Sequence, residues 1–111
     1  MKLKDFESDG GVIVLELSGK IMGGEETTMF HGKLHEYIQA GKRKFLIDLK
    51  NVEWMNSVGL GMLISALTTV KNGKGRLVLA NITNIESILS MTRLITVFEH
   101  YESRDAALKS F

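Results

Sequence analysis

The sequence has no cysteine, no proline and no long apolar run, and the first and last of these absences exclude whole classes of protein. Without cysteine, the 111-residue chain has no disulfide, no thiolate metal site, no iron–sulfur cluster and no cysteine nucleophile. Its longest dense apolar stretch, residues 60–67, is far shorter than the ~20 residues that span a membrane. Residues 1–7 are charged and lack the apolar segment of a secretory signal. We therefore expect a cytoplasmic protein that is not bound to a membrane.

The chain also has almost no net charge. Fourteen lysines and arginines oppose thirteen aspartates and glutamates, a formal charge of +1, and the longest run of one sign is residues 42–44. We interpret that run as a solvated strand edge, so the sequence offers no basic surface for nucleic acid or anionic lipid. A chain of this length with 44% hydrophobic residues can bury a core without disulfides or metals. We expect a single domain over residues 1–111.

Strand and helix patterns alternate along the chain. β-Branched and apolar runs predict strands at residues 3–7, 12–17, 45–49, 76–80 and 95–98. Apolar residues at helical spacing, with their capping residues, predict helices at about 25–40, from Asn56 to about 72, from a capping box at Thr83 and Glu86, and from Ser103. This order predicts an α/β fold with a mixed sheet, in which functional loops follow the carboxyl ends of the strands.

The segment that follows the strand at residues 45–49 is the most informative one. Asn56 is a favoured N-cap, which places Ser57 in the first turn of a helix, near unpaired amides and the positive end of the helix dipole. Gly59 and Gly61 have no side chain that would shield this turn. A phosphate on Ser57 would therefore be reachable and well tolerated. A second interpretation stays open, in which Asn56 and Ser57 only cap the helix and the glycines only pack.

Several segments around this serine resemble a known family. The residues Asp48-Leu49, Val52 and Met55-Asn56-Ser57-Val58-Gly59-Leu60-Gly61 are similar to the signature of the STAS domain in bacterial anti-sigma factor antagonists. Residues 17–21 resemble the strand-end motif of the family and residues 103–108 its closing helix, so the resemblance covers nearly the whole chain. It implies the STAS fold, a mixed sheet of four to five strands with about four helices, mainly on one face.

The same resemblance implies a function. In the family, the serine that matches Ser57 is phosphorylated by a GHKL-type serine kinase that is also the anti-sigma factor, and a PP2C-type phosphatase removes the phosphate. The unphosphorylated form binds the kinase and frees the sigma factor. We therefore expect a phosphorylation-controlled binding protein, not an enzyme, with no cofactor, as a monomer or weak dimer. The family often has Asp before the serine, where this chain has the neutral Asn56.

The predicted partner surface combines the start of the second helix with the segment after the second strand. Its residues are Lys20, Ile21, Met22, Gly23, Gly24, Met55, Asn56, Ser57, Val58, Gly59 and Gly61. Trp54 and Met55 are candidate hydrophobic anchors, and we expect one of them to be buried and the other to be partly exposed. Met22 could be either buried or exposed.

Alternative functions for these residues have less support. Ser57 lacks the first glycine of a nucleophile elbow, and none of the histidines at positions 31, 35 and 100 is placed beside it as a base. His31 and His35 have i, i+4 spacing without a third ligand nearby, so we expect no metal site. The two glycines of the second helix could belong to a small nucleotide-binding module, although no complete phosphate-binding motif is present. The other alternative is a STAS scaffold or input domain that controls a phosphatase or a signalling assembly.

Overall fold

The computed structural model describes residues 1–111 as a five-stranded sheet with helices on both faces. The elements are β1 (Lys2–Glu7), β2 (Val12–Ile21), α1 (Glu25–Gln39), β3 (Lys44–Met55), α2 (Ser57–Asn72), β4 (Arg76–Ala80), α3 (Glu86–Met91), β5 (Glu99–Tyr101) and α4 (Arg104–Lys109). Sheet neighbours follow chain order, with β1 antiparallel to β2 and all later pairs parallel. The predicted mixed α/β sheet is confirmed.

Each face of the sheet has its own apolar cluster. Helices α1, α2 and α3 cover one face, where Phe30, Leu34 and Leu63 join alternate residues of β2 and β3 in a core of 23 buried residues. Helix α4 covers the other face, where Ala107 packs in a cluster of only six. The helices therefore lie mainly on one face, as predicted. Residues 12–15 of β2, 45–49 of β3 and 77–80 of β4 are buried on both faces of the sheet, which explains the nearly continuous apolar sequences of these segments.

The prediction that the third strand ends at Leu49 is wrong. β3 continues to Met55, because residues 51–55 pair with residues 18–21 of a β2 strand that is itself longer than predicted. Two register irregularities in β2, between Glu16 and Ser18 and between Gly19 and Lys20, accompany this extension. The carboxyl end of β3 consequently lies six residues further along the chain than predicted, directly before α2.

Two predictions in the last third of the chain are also wrong. Residues 95–98 do not form the last strand, because the amides of Ile95 and Val97 bond to carbonyls of Leu89 and Leu94 in the turn after α3. The capping box at Thr83 does not form either: residues 83–85 make a 3-10 turn, and no side chain caps α3. Ser103 does cap α4 as predicted, with its Oγ accepting from the amide of Ala106 at 3.0 Å. None of the helices has the length and apolar character that crossing a membrane requires.

Candidate functional site

A single residue, Asn56, connects the end of β3 to the start of α2. Its backbone is extended, and its Oδ1 accepts a hydrogen bond from the amide of Gly59 at 2.9 Å, which confirms the predicted N-cap. The Asn56 carbonyl accepts the amide of Leu60 at 3.0 Å. Ser57 is therefore the first residue of α2, and it is exposed. The candidate site lies at this junction and not in the loop that was predicted after Leu49.

The loop between β2 and α1, residues 22–24, lies beside this junction. The backbone amide of Asn56 donates to the carbonyl of Ile21 at 3.2 Å, and its side-chain Nδ2 donates to the carbonyl of Met22 at 3.3 Å. Gly23 has a φ of +94°, and a Cβ at this position would be 2.5 Å from Cγ1 of Val58. The absence of a side chain at residue 23 thus lets the loop approach α2. The fold brings together the two segments of the predicted partner surface.

Three residues of the predicted partner surface are buried. Ile21 and Met55 belong to the core, and Gly59 is buried where α2 passes the end of β2. These three residues are not accessible in the structure, and they position the exposed residues of the predicted surface. Gly61 differs from Gly59: it is exposed, and an added Cβ would have no atom within 4 Å.

Exposed apolar side chains surround Ser57. Met22 is 57% exposed, Val58 54% and Trp54 49%, and they lie on the β2–α1 loop, on α2 and at the end of β3. Since Met55 is buried, the expectation that one of Trp54 and Met55 is buried and the other partly exposed is confirmed. A concentration of exposed apolar groups on a small protein is typical of a surface that binds another protein.

A shallow pocket of about 360 Å³ extends this apolar surface toward α3. Its lining residues are Trp54, Met55, Asn56, Asn84, Ile85, Ser87, Ile88 and Met91. Asn84 connects the α3 side of the pocket to the sheet, because its Nδ2 donates to the carbonyl of Val52 in β3 at 2.8 Å. The residues of α3 were not among the predicted site residues. The pattern that could have indicated them is the apolar series Ile85, Ile88 and Met91 at helical spacing. Ile85 is buried in the core, whereas Met91 is 84% exposed.

The charges at the junction favour an anion on Ser57. The first turn of α2 contains no acidic residue. The Asn56 side chain occupies the amide of Gly59, which leaves the amides of Ser57 and Val58 without an intrahelical acceptor. Together with the positive end of the helix dipole, these donors stabilise negative charge at this position.

The histidines do not contribute to this site. His31 and His35 lie on α1, and burial together with the nearby His35 lowers the pKa of His31. His100 is in β5, at the edge of the sheet furthest from β1. The Ser57 hydroxyl makes no hydrogen bond to any of them. No group of three or more His, Cys, Asp or Glu residues is arranged to hold a metal ion.

Asp48, which belongs to the same STAS-like signature as Ser57, lies on the opposite face of the sheet. Its Oδ1 accepts from the amide of Lys50 at 3.0 Å and from Nδ2 of Asn81 at 2.9 Å. Its Oδ2 accepts from Nε of Arg104 at 2.8 Å, and Arg104 also reaches Oε2 of Glu16 at 2.7 Å. This buried carboxylate holds the start of α4 against β3 and β2, so its role is structural.

Comparison with known proteins identifies the family. The family model described as "STAS domain" matches residues 4–107. The chain belongs to the STAS domain family. Among relatives of this STAS domain, the anti-sigma F factor antagonist of Paenibacillus polymyxa is 24% identical over 106 residues, which are 94% of this chain and 90% of that protein.

Solved structures confirm the predicted STAS fold. The crystal structure of a candidate anti-sigma factor antagonist from Thermotoga maritima matches with a TM-score of 0.84 and 22% identity, covering 97% of this chain and 92% of that one. The Bacillus cell fate determinant SpoIIAA in its phosphorylated form matches with a TM-score of 0.76 and 14% identity, covering 99% of this chain and 100% of that one. At these identities the likeness shows the fold alone.

Proposed function

We propose that this STAS domain is an anti-sigma factor antagonist that binds its anti-sigma factor while Ser57 is unmodified and loses it when Ser57 is phosphorylated. The observation that carries the proposal is the exposed hydroxyl of Ser57 at the first turn of α2, amid the exposed side chains of Met22, Trp54 and Val58. The relative from Paenibacillus polymyxa is an antagonist by name, and SpoIIAA exists in a phosphorylated form. Both facts agree with this reading of the site.

The apolar surface supplies the binding energy in this proposal. Trp54 is half-exposed and lines the same pocket as Met91, so an apolar side chain of the anti-sigma factor can pack between them. Aromatic residues next to such pockets dominate the energetics of many interfaces. Met22 and Val58 extend the contact to the other side of Asn56.

Phosphorylation of Ser57 would alter binding and leave the fold unchanged. A phosphate adds roughly −1.5 to −2 charges, which the free amides of the first turn accommodate. In a complex, the same dianion would lie within an apolar contact and would lose its hydration. That cost of several kcal/mol corresponds to a loss of affinity of about 10³-fold.

The finer parts of the proposal come from the family resemblance. The anti-sigma factor is a GHKL-type serine kinase that phosphorylates Ser57, and a PP2C-type phosphatase reverses the modification. Residues 1–111 act as one cytoplasmic binding domain, without a cofactor and without catalytic activity of their own. Lys20 and Gly24, both exposed, lie at the margin of the contact.

The test compares two serines on the same helix. Ser57→Asp places a negative charge in the proposed contact, and Ser65→Asp places it two turns away on exposed surface of α2. Calorimetry against a GHKL-type anti-sigma factor from the same genome should show binding about 10³ times weaker for Ser57→Asp and unchanged for Ser65→Asp, with equal melting temperatures. Equal affinity of wild type and Ser57→Asp would reject the switch.

Mass spectrometry supplies the second half of the test. Incubation with the same kinase and ATP should add one phosphate, at Ser57. Tight binding without phosphorylation would instead favour a scaffold role for this STAS domain.

A further inference from the structure

We propose that the side-chain amide of Asn56 is a positioning group that holds the β2–α1 loop in the conformation presenting Met22 to a partner. Asn56 thereby determines specificity in this chain. The inference deepens the proposed function and relies on it only for the consequence in binding. The loop conformation itself can be measured on the free protein.

The two ends of the Asn56 side chain bond to different segments. Its Oδ1 accepts from the amide of Gly59 in α2 at 2.9 Å, and its Nδ2 donates to the carbonyl of Met22 at 3.3 Å. Helix capping needs only the acceptor, which Asp, Ser and Thr also provide. Only the second bond needs an amide donor. The contact with Met22 therefore explains what Asn does at this position that the Asp common in the family cannot do.

Apart from this bond, two contacts restrain the loop: Gly23 packs against Val58, and the Gly24 carbonyl accepts from the amide of Thr27 at 3.1 Å. Gly23 and Gly24 have φ angles of +94° and +84°, which glycine adopts at little steric cost, so their backbone has no side chain to hold it in place. Gly24 occupies the N-cap position of α1, but no side chain accepts a hydrogen bond from the first amides of this helix. The bond from Asn56 is the only one in which a side chain reaches residues 22–24, and Met22 is 57% exposed. Loss of this bond would therefore release the loop and its exposed methionine.

Two substitutions separate the donor from the cap. Asn56→Asp keeps an acceptor for the Gly59 amide but places a carboxylate oxygen against the Met22 carbonyl. Asn56→Ser also keeps the cap, without adding charge and without reaching Met22. Because both preserve capping, we expect α2 and the melting temperature to stay close to wild type in both variants.

The first experiment is nuclear magnetic resonance on the free variants. In wild type, the backbone order parameters of Gly23 and Gly24 should be near the rigid value of about 0.85, and a cross-peak should join Gly23 to the Val58 methyl groups. In Asn56→Asp and Asn56→Ser, the order parameters should fall toward about 0.6, and the cross-peak should weaken or disappear. The Gly10 and Gly11 turn is the internal control and should not change. Wild-type order parameters in both variants would overturn the proposal.

The second experiment measures the consequence with the GHKL-type anti-sigma factor. The neutral Asn56→Ser should bind about tenfold more weakly than wild type, and Met22→Ala should reduce affinity less in the Asn56→Ser background than alone. Additive losses, or an unchanged affinity once the loop is released, would overturn the specificity role. Failure of the proposed function would give a different result. Ser57→Asp would then bind like wild type, while the order parameters of Gly23 and Gly24 would still differ between wild type and the Asn56 variants.

Discussion

A Cβ atom added to Gly59 would lie 2.7 Å from the carbonyl oxygen of Ile21 and 2.9 Å from its Cγ2. The first turn of α2 can pass this close to the end of β2 only because residue 59 has no side chain. The same Ile21 carbonyl accepts the amide of Asn56 at 3.2 Å. The position of Ser57 relative to the β2–α1 loop thus depends on a buried backbone contact beneath the exposed surface.

Substitution of two glycines of α2 should have opposite effects on stability. Gly59→Ala should lower the free energy of unfolding by about 1 to 3 kcal/mol, since its methyl group overlaps Ile21. Gly61→Ala should raise it by up to about 1 kcal/mol, because that position is open and alanine favours the helix. Urea denaturation compares the two variants. A Gly59→Ala protein as stable as Gly61→Ala would contradict the close contact.

Removal of the half-exposed Trp54 should weaken binding without destabilising the fold. Trp54→Ala should reduce affinity for the anti-sigma factor by about 2 kcal/mol, or about thirtyfold, if the residue is an interface anchor. Val97→Ala is the matched control, because Val97 is 47% exposed but lines a different pocket, with Lys71 and Arg76. Equal losses for the two variants in calorimetry would argue against the Trp54 surface.

Substitution of Asp48 should be strongly destabilising. Asp48→Ala leaves the amide of Lys50 and the side chains of Asn81 and Arg104 without their shared acceptor. Breaking a fully buried pair costs about 3 to 5 kcal/mol, and we expect about 2 to 4 here because Arg104 is partly exposed and keeps Glu16. Glu36→Gln, which removes an exposed pair with Lys33, should change stability by less than about 0.5 kcal/mol. Similar urea midpoints for the two variants would contradict this role.

The titration of Tyr37 should depend on Asp5. A short hydrogen bond from the Tyr37 hydroxyl to the Asp5 carboxylate, together with partial burial, raises the pKa of Tyr37 from 10.0 to about 12. Because the folded state favours the protonated phenol, its contribution to stability is complete below pH 10 and is lost as the pH rises toward 12. Ultraviolet titration of tyrosinate should show this pKa falling toward its ordinary value in Asp5→Asn. Tyr37→Phe is the control and should remove the transition, which shows that the transition belongs to Tyr37. An unchanged titration in Asp5→Asn would contradict the role of Asp5 in raising the pKa.

The sequence predicted the features of the site that depend on near neighbours. Asn56 caps α2 because its acceptor, the amide of Gly59, is three residues away, and the exposed first-turn position of Ser57 follows from that cap. The central strands were equally clear, since burial on both faces leaves a continuous apolar run. Ser103 was identified as a cap for the same local reason.

Contacts between distant residues decided the rest. The extension of β3 to Met55 depends on pairing with β2, 33 or 34 positions earlier in the chain, and a local pattern does not contain that register. The capping box predicted at Thr83 does not form, since residues 83–85 make a 3-10 turn and Asn84 in this turn donates a hydrogen bond to the Val52 carbonyl in β3. Residue types and local hydrogen bonds determine where a helix begins. Only packing between elements decides which apolar side chains, such as Trp54 and Met91, have no interior to occupy and remain at the surface.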